Sequence, residues 1–238
     1  MSSEANQLPD VQEHGAPVNG QPQVSDRRLY LQLQVYTGVT DLAAVQAVLA
    51  DSNLDAALYL DASDPFGVGI VFLSEEPDDF VTSIRSLLTA EPFDLLERRP
   101  EMTLFGRSYS IGYEPDLNEA LVQRPRRTVL NPDWPWAIWY PLRRNGAFAR
   151  LDGKAQRDIL MEHAGIGRAY GNADLAHDIR LACYGMDERD NDFVIGLVGK
   201  SLHPLSKVVQ DMRKTQQTAL YIDSLGPFFV GKKVWATQ

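Results

Sequence analysis

The chain has a single cysteine, Cys183, among its 238 residues. One cysteine excludes an intrachain disulfide bond and a zinc site built on cysteine ligands. The sequence also lacks an apolar run of 18 residues, so it predicts no transmembrane helix. Its N-terminus has neither the basic start nor the apolar stretch of a signal peptide. These absences favour a cytoplasmic protein that does not insert into a membrane.

Positive charge is scarce as well. The chain carries 23 Lys and Arg residues against 32 Asp and Glu residues, which gives a net charge of −9 at pH 7. A protein that binds nucleic acid needs a basic face to neutralise the phosphates. The acidic balance therefore argues against nucleic acid as a partner.

Apolar residues are plentiful, because 44% of the chain is hydrophobic. This is enough for the core of one or two compact domains. Residues 1–27 depart from this composition, since they are rich in Ser, Pro, Gln, Asn and Gly and poor in large apolar side chains. We expect residues 1–27 to form a disordered N-terminal tail.

Two stretches of similar pattern follow the tail. In the first, period-two alternation and β-rich runs predict four strands, at 29–36, 56–61, 67–74 and 104–113. Helical spacing of apolar residues predicts two helices between these strands, at 40–50 and around 80–88.

The second stretch repeats the order. Strands are predicted at 136–142, 178–185, 192–200 and 226–236, with one helix at 153–169 and another beginning near Pro204. Each stretch is thus a βαββαβ unit of the ferredoxin-like type.

The predicted fold class is α+β, with a ferredoxin-like domain at 28–125 and a second at 126–238. The two antiparallel sheets either pack face to face or join around a shared core, as in proteins of the dimeric α+β barrel type. Such a fold hosts many functions and implies none of them.

The segment ILMEHAGIGRAYG (159–171) puts a histidine in the middle of the second domain's first helix. Ala155, Ile159, His163 and Ile166 share one helix face, while charged residues occupy the others. A buried histidine must hydrogen-bond or coordinate a ligand. His163 can therefore be a core histidine, a ligand of zinc or non-haem iron, or an axial ligand of haem.

The three possibilities differ in what else they require. Zinc or non-haem iron needs three or four protein ligands, and no HExxH motif or i, i+4 pair of histidines accompanies His163. Haem needs only one imidazole, because the porphyrin supplies four ligands. The spacing alone leaves the packed histidine and the haem ligand open, and it leaves a zinc or non-haem iron site possible but unsupported.

Four stretches, in this order and at these separations, resemble the chlorite dismutase family. They are WYPLRR (139–144), RDILMEHAGIGRAYG (157–171), YGMDERDNDFVIGLV (184–198) and MRKTQQTALYIDSLGPFFVG (212–231). The resemblance covers residues 134–236, whereas the first domain is similar only in its order of strands and helices. It implies a haem in the second domain, either haem b or coproheme, and a homo-oligomer that is often a pentamer.

The resemblance also implies roles for residues on the proximal side of the haem. It gives His163 the role of the axial iron ligand. The family's glutamate acceptor for the second nitrogen of that histidine aligns with Gln216. A neutral amide accepts a hydrogen bond less strongly than a carboxylate, so the imidazole should have less imidazolate character.

The distal side departs further from the family. Chlorite dismutases carry an arginine on the strand before a G-(L/F)-D-D turn, and Asp178 aligns with it, while Arg180 lies on the same face. Coproheme decarboxylases use the tyrosine and lysine of a YPM-x-K stretch, which match Tyr140 and Arg144. Phe148 replaces a pocket tryptophan. We expect Tyr140, Arg144, Asp178 and Arg180 to be the catalytic groups, although Tyr140 can equally be a core aromatic.

Arginines near the start of the second domain stand out in an acidic chain. Guanidinium groups bind carboxylates bidentately, so Arg126 and Arg127 are expected to hold the haem propionates. The alternative is that they are solvated surface charges.

The resemblance implies a haem-binding oxidoreductase that is peroxide-dependent and acts with a small-molecule oxidant or substrate. Coproheme decarboxylation is the best-matching named reaction. Two alternatives remain: a non-catalytic haem carrier or sensor, and a haem-free oligomeric interaction protein with the same fold.

Overall fold

The computed structural model describes residues 8–238, which contain both strands and helices. The strands are β1 (Glu13–Val18), β2 (Gln21–Ser25), β3 (Tyr30–Thr37), β4 (Asp55–Asp61), β5 (Val68–Ser74), β6 (Glu97–Arg98), β7 (Leu104–Arg107), β8 (Trp136–Arg144), β9 (His177–Ala182), β10 (Phe193–Gly199), β11 (Ile222–Leu225) and β12 (Phe229–Ala236). The helices are α1 (Leu42–Asp51), α2 (Ser83–Leu88), α3 (Arg124–Leu130), α4 (Gly146–Ala149), α5 (Gly153–Asn172), α6 (Leu202–Met212) and α7 (Gln216–Tyr221).

Eight of the strands close into a barrel. Around the ring the order is β7, β3, β5, β4, β12, β8, β10 and β9, and β9 pairs with β7 again. Every pairing is antiparallel. Each half supplies four neighbouring strands, so the α+β fold with ferredoxin-like halves is confirmed. Of the two predicted arrangements, the halves adopt the one that shares a core.

The two seams between the halves differ in extent. At one seam, β12 pairs with β4 through five residue pairs, from Gly231 opposite Asp61 to Ala236 opposite Ala57. At the other seam, β7 pairs with β9 only where Arg107 lies opposite Ala182.

Side chains from both halves fill the barrel. Leu31 and Leu33 of β3 pack in one buried cluster with Trp139 of β8 and Phe229 of β12. Glycine makes room for the largest of these rings, because a Cβ atom on Gly196 would lie 2.2 Å from Cζ3 of Trp139. The first half packs α1 and α2 on its outer face, and the second half packs α5 and α6 on its own.

The predicted disordered tail is in part an ordered hairpin. Strands β1 and β2 pair with each other within the range 8–27, whereas residues 1–7 lie outside the described residues. Glu13 accepts hydrogen bonds from Arg107 at 3.0 Å and from the Ser110 N–H at 2.7 Å. Polar contacts with a distant segment, rather than apolar burial, hold the hairpin, and composition does not reveal such contacts.

No helix in the described range combines the length and apolarity needed to cross a bilayer. The division at residue 125 into two domains stays a prediction.

Candidate functional site

Helix α5 carries the histidine that the sequence singles out. Asp152 caps its N-terminus, because the carboxylate accepts from the N–H groups of Lys154 at 2.9 Å and Ala155 at 2.8 Å. Ile159 is buried and His163 is half-buried, while Lys154 and Asp158 form an exposed pair at 2.7 Å. His163 therefore faces the barrel, as the helical spacing predicts.

The barrel face under α5 carries three of the predicted distal residues. On neighbouring strands, Tyr140 lies opposite Ile195, and Ile195 lies opposite Arg180. Asp178 is two residues before Arg180 in β9 and shares its face, because strand side chains alternate. The intervening Ile179 points into the barrel core. The fold thus brings Tyr140, Asp178 and Arg180 onto one surface.

The electrostatics of His163 connect it to that surface. Burial lowers the pKa of His163 most, the cations of Arg180 and Arg144 lower it further, and the carboxylate of Asp178 opposes them. The imidazole is therefore neutral at pH 7, which is the state that ligates a metal. In the described part of the chain, Nδ1 is the ring nitrogen of His163 that has a hydrogen-bond partner, and Nε2 has none.

The partner of Nδ1 is not the predicted one. Oγ1 of Thr215 lies 3.5 Å from Nδ1 of His163. Gln216, which the resemblance assigns to this role, has an exposed side chain, and its backbone N–H donates to Oε2 of Glu162 at 3.0 Å. Thr215 is the N-cap of α7 and turns its side chain inward, whereas the first helical residue, Gln216, turns outward. In this structure the residue beside Nδ1 is Thr215, one position before Gln216, and the role assigned to Gln216 stays a prediction.

Arg144 lies between two aromatic rings at the edge of the same surface. Its Cζ atom is 4.7 Å from the ring centre of Phe148 and 4.5 Å from that of Phe193. Its Nε atom is buried and has no hydrogen-bond partner within residues 8–238. Cation–π contacts thus hold this guanidinium in place while leaving a donor unused. Arg144 and Phe148 are in contact, as their shared assignment to the pocket requires.

Tyr140 is buried and stacks on Phe228, with ring centres 4.6 Å apart and planes inclined by 28°. Burial raises its pKa, and the nearby carboxylate of Asp178 raises it further. The phenol therefore keeps its proton well beyond neutral pH.

Arg180 is paired rather than free. Its Nε lies 2.9 Å from Oδ2 of Asp178, and both side chains are about half exposed, at 49%. A small cavity of about 50 Å³ beside this pair is also lined by Tyr109 and Arg124. The two side chains together carry no net charge.

The arginines expected to hold propionates have other partners. Arg126 forms an ion pair with Asp55, and Nη2 of Arg127 lies 2.6 Å from Oε1 of Glu119. Helix α3 packs against β4 and β9. Carboxylates of this chain thus already pair with both arginines, and their binding of haem propionates stays a prediction.

Thr215 and Gln217, at the N-terminus of α7, are buried polar residues that the sequence pattern does not single out. Gln217 is buried, and its Oε1 atom has no hydrogen-bond partner in the described residues. A threonine directly before a helical run is a recognisable N-cap, so this signal could have identified Thr215. No comparable signal marks Gln217.

A cavity larger than the one beside Arg180 lies away from the predicted site residues. A cavity of about 350 Å³ is lined by Arg98, Glu101 and Asp187 among others, but by none of the predicted site residues. Among residues 8–238 there is no group of three His, Cys, Asp or Glu side chains placed to hold a metal ion. A neutral imidazole with a free Nε2 suits a haem iron, because the porphyrin supplies four ligands and the protein need supply only one imidazole.

Comparisons with known proteins identify the family and similar folds. The family model described as chlorite dismutase matches residues 69–234. A comparison with curated proteins gave no significant match.

Solved structures share the fold at low sequence identity. A protein described as a novel heme-binding protein from Thermus thermophilus is 18% identical, with a TM-score of 0.69, covering 87% of this chain and 91% of that chain. A mutant chlorite dismutase from Candidatus Nitrospira defluvii, in complex with cyanide, is 15% identical, with a TM-score of 0.68 over 88% and 92% of the two chains. The enzyme from the same source in complex with imidazole is 14% identical, with a TM-score of 0.67 and the same coverage.

Proposed function

The chain belongs to the chlorite dismutase family, and on that premise we propose that it binds haem through His163 and acts as a haem-dependent oxidoreductase. The observation that carries the proposal is the state of His163. Its ring is half-buried and neutral, Nε2 has no partner in the described chain, and the ring faces the surface of Tyr140 and Arg180. When bound, haem supplies one-electron and peroxide chemistry.

The proposed reaction is peroxide-dependent, and two side chains near His163 offer hydrogen-bond donors to a cofactor or substrate. Tyr140 holds its proton at Oη because burial raises its pKa, so it can donate a hydrogen bond at neutral pH. Arg144 offers a half-buried cation whose buried Nε donor is unused, which suits a carboxylate of the cofactor or substrate. Tyr140 and Arg144 are the pair that coproheme decarboxylation would use, so coproheme is the first substrate to test.

The partner in this proposal is a small-molecule oxidant, without nucleic acid or a membrane. A cytoplasmic homo-oligomer, pentameric as is common in the family, is part of the same proposal. Light scattering on the purified full chain measures its mass in solution, and a monomer would contradict the oligomer.

A titration of the purified protein with haem b and with coproheme, followed by the Soret band, tests haem binding. We expect a histidine-ligated spectrum for at least one of the two. His163→Ala should lose that spectrum, and His203→Ala, which alters an exposed histidine on α6, should retain it. An unchanged spectrum and affinity in His163→Ala would falsify the ligand assignment. No binding by the wild type favours the haem-free oligomeric protein.

Peroxide addition then distinguishes an enzyme from a carrier. Mass spectrometry of the coproheme complex after hydrogen peroxide should show loss of carboxyl groups, and Tyr140→Phe should abolish that loss. Oxidation of an added electron donor, without decarboxylation, supports a peroxidase instead. Bleaching of the bound haem without either reaction would contradict an oxidoreductase function.

Two observations favour the second candidate, a non-catalytic haem carrier or sensor. The group beside Nδ1 of His163 is a neutral hydroxyl, and the distal arginine is already paired with Asp178. Both features weaken the charge effects that family enzymes use. The peroxide experiment decides between the two candidates.

A further inference from the structure

The contacts of Thr215 point to a function for a residue that the family resemblance does not assign. Its side chain is 1% exposed and caps the N-terminus of α7. Around Oγ1 lie the Met212 carbonyl oxygen at 2.8 Å, Oγ1 of Thr218 at 3.3 Å, the Thr218 nitrogen at 3.4 Å and Nδ1 of His163 at 3.5 Å.

The single hydroxyl proton decides what Thr215 can do for His163. A carbonyl oxygen can only accept, and that of Met212 is the nearest partner, so Oγ1 donates its proton there. The lone pairs of Oγ1 then remain for the Thr218 N–H and for His163. An oxygen that offers only lone pairs favours the imidazole tautomer with the proton on Nδ1. In that tautomer the lone pair is on Nε2, which has no partner in the described chain.

Thr215 is itself held in place from both sides. Its hydroxyl is anchored on the end of α6, through Met212. The next residue, Gln216, donates its N–H to Glu162, which precedes His163 on α5. The connection between α5 and α7 therefore fixes the hydroxyl relative to the imidazole, and a distance of 3.5 Å suits orientation more than strong binding.

We infer that Thr215 is a positioning residue that sets the tautomer and ring orientation of His163, so that Nε2 faces the iron. The part of this inference that concerns iron rests on the proposed function. A hydroxyl that already donates to a carbonyl carries no charge, so it gives the imidazole less anionic character than a carboxylate would. The reduction potential of the bound haem should therefore be higher with Thr215 than with an acidic residue at this position.

The tautomer can be measured on the full chain without haem. In a long-range ¹H–¹⁵N correlation spectrum of protein labelled at histidine, His163 should show the Nδ1–H form. Thr215→Val should lose the predominance of that form, and Thr215→Ser should restore it. Thr218→Val is the matched control, because it removes a neighbouring hydroxyl but no contact with His163. An Nε2–H tautomer in the wild type, or an unchanged tautomer in Thr215→Val, overturns the inference.

A second measurement uses the haem-loaded protein. Thr215→Asp keeps an N-cap residue but introduces a carboxylate, so its reduction potential should be lower than that of Thr215→Ser. Equal potentials overturn the electronic part of the inference. If the wild type binds no haem, the proposed function fails, while the tautomer result stands independently.

Discussion

Gly196 of β10 lies directly against the indole ring of Trp139 on β8, inside the barrel. An added Cβ atom would come within 2.2 Å of Cζ3 and 2.5 Å of Cη2 of that ring. Trp139 is fully buried among the side chains of the barrel core. The absence of a side chain at position 196 is therefore what allows the largest aromatic residue to fill this part of the core.

Gly196→Ala should destabilise the protein. Overpacking a dense core costs about 1–3 kcal/mol, so the free energy of unfolding in a denaturant titration should fall by that amount. Gly165→Ala is the control, because a Cβ on this exposed helical glycine meets nothing within 4 Å. That variant should be neutral or stabilised by up to about 1 kcal/mol. Equal losses in both variants would contradict the packing argument.

Phe228→Ala should shift the titration of Tyr140. Phe228 covers one face of the Tyr140 ring, and burial is the main cause of the raised pKa of that phenol. Removing the cover admits water, which stabilises the phenolate, so the pKa should fall toward its ordinary value of 10.0. Ultraviolet difference titration measures the change, and Tyr140→Phe identifies the signal. A pKa that stays equally high would mean that other groups bury the ring.

The charges of the distal ion pair should shift His163 in opposite directions. Arg180→Gln removes a cation that disfavours imidazolium, so the pKa of His163 should rise. Asp178→Asn leaves Arg180 unpaired, so the pKa should fall further below its ordinary value. Proton NMR titration of the haem-free protein, with the resonance assigned through His163→Ala, measures both. Shifts of the same sign would show that the pair does not face the histidine.

Asp174 should contribute to stability in a pH-dependent way. Hydrogen bonds from Lys200 and His177 lower its pKa from 3.8 to about 2. A carboxylate with a depressed folded-state pKa stabilises the folded protein above its unfolded pKa, and this contribution is lost as the pH falls toward about 2.

The variant Asp174→Asn tests this, because asparagine tolerates the left-handed backbone at this position, where φ is 55°. In denaturant titrations it should be less stable than the wild type near pH 6, and the difference should shrink between about pH 4 and 3. Lys200→Met should show the same trend, since Lys200 is the largest cause. A constant difference across the range would exclude the linkage.

The sequence predicts most of the second half because its signals are local. Helix α5 follows from helical spacing over several turns, and the sharing of one face by Asp178 and Arg180 follows from strand alternation. Closure of the barrel does not follow, since the meeting of Arg107 and Ala182 depends on residues far apart in the chain.

The differences between the expected and the observed contacts at the site have equally specific causes. The residue expected beside Nδ1 of His163 is Gln216, and the observed one is Thr215. A shift of one residue at a helix N-terminus changes which side chain faces inward. The guanidinium of Arg126 can bind an anion, but it forms an ion pair with Asp55, from a strand of the other half. Pairing of this kind depends on tertiary structure and leaves no local trace.

The inequality of the two seams has a consequence for motion. Where β7 meets β9, one residue pair joins the halves, while five join β12 to β4. Amide hydrogens along the β7–β9 seam should exchange with solvent before those along the β12–β4 seam, since local opening begins where the fewest hydrogen bonds must break. Arg180 is two residues from Ala182, at the β7–β9 seam. A small molecule that enters the protein through local opening of this seam would therefore pass next to Arg180.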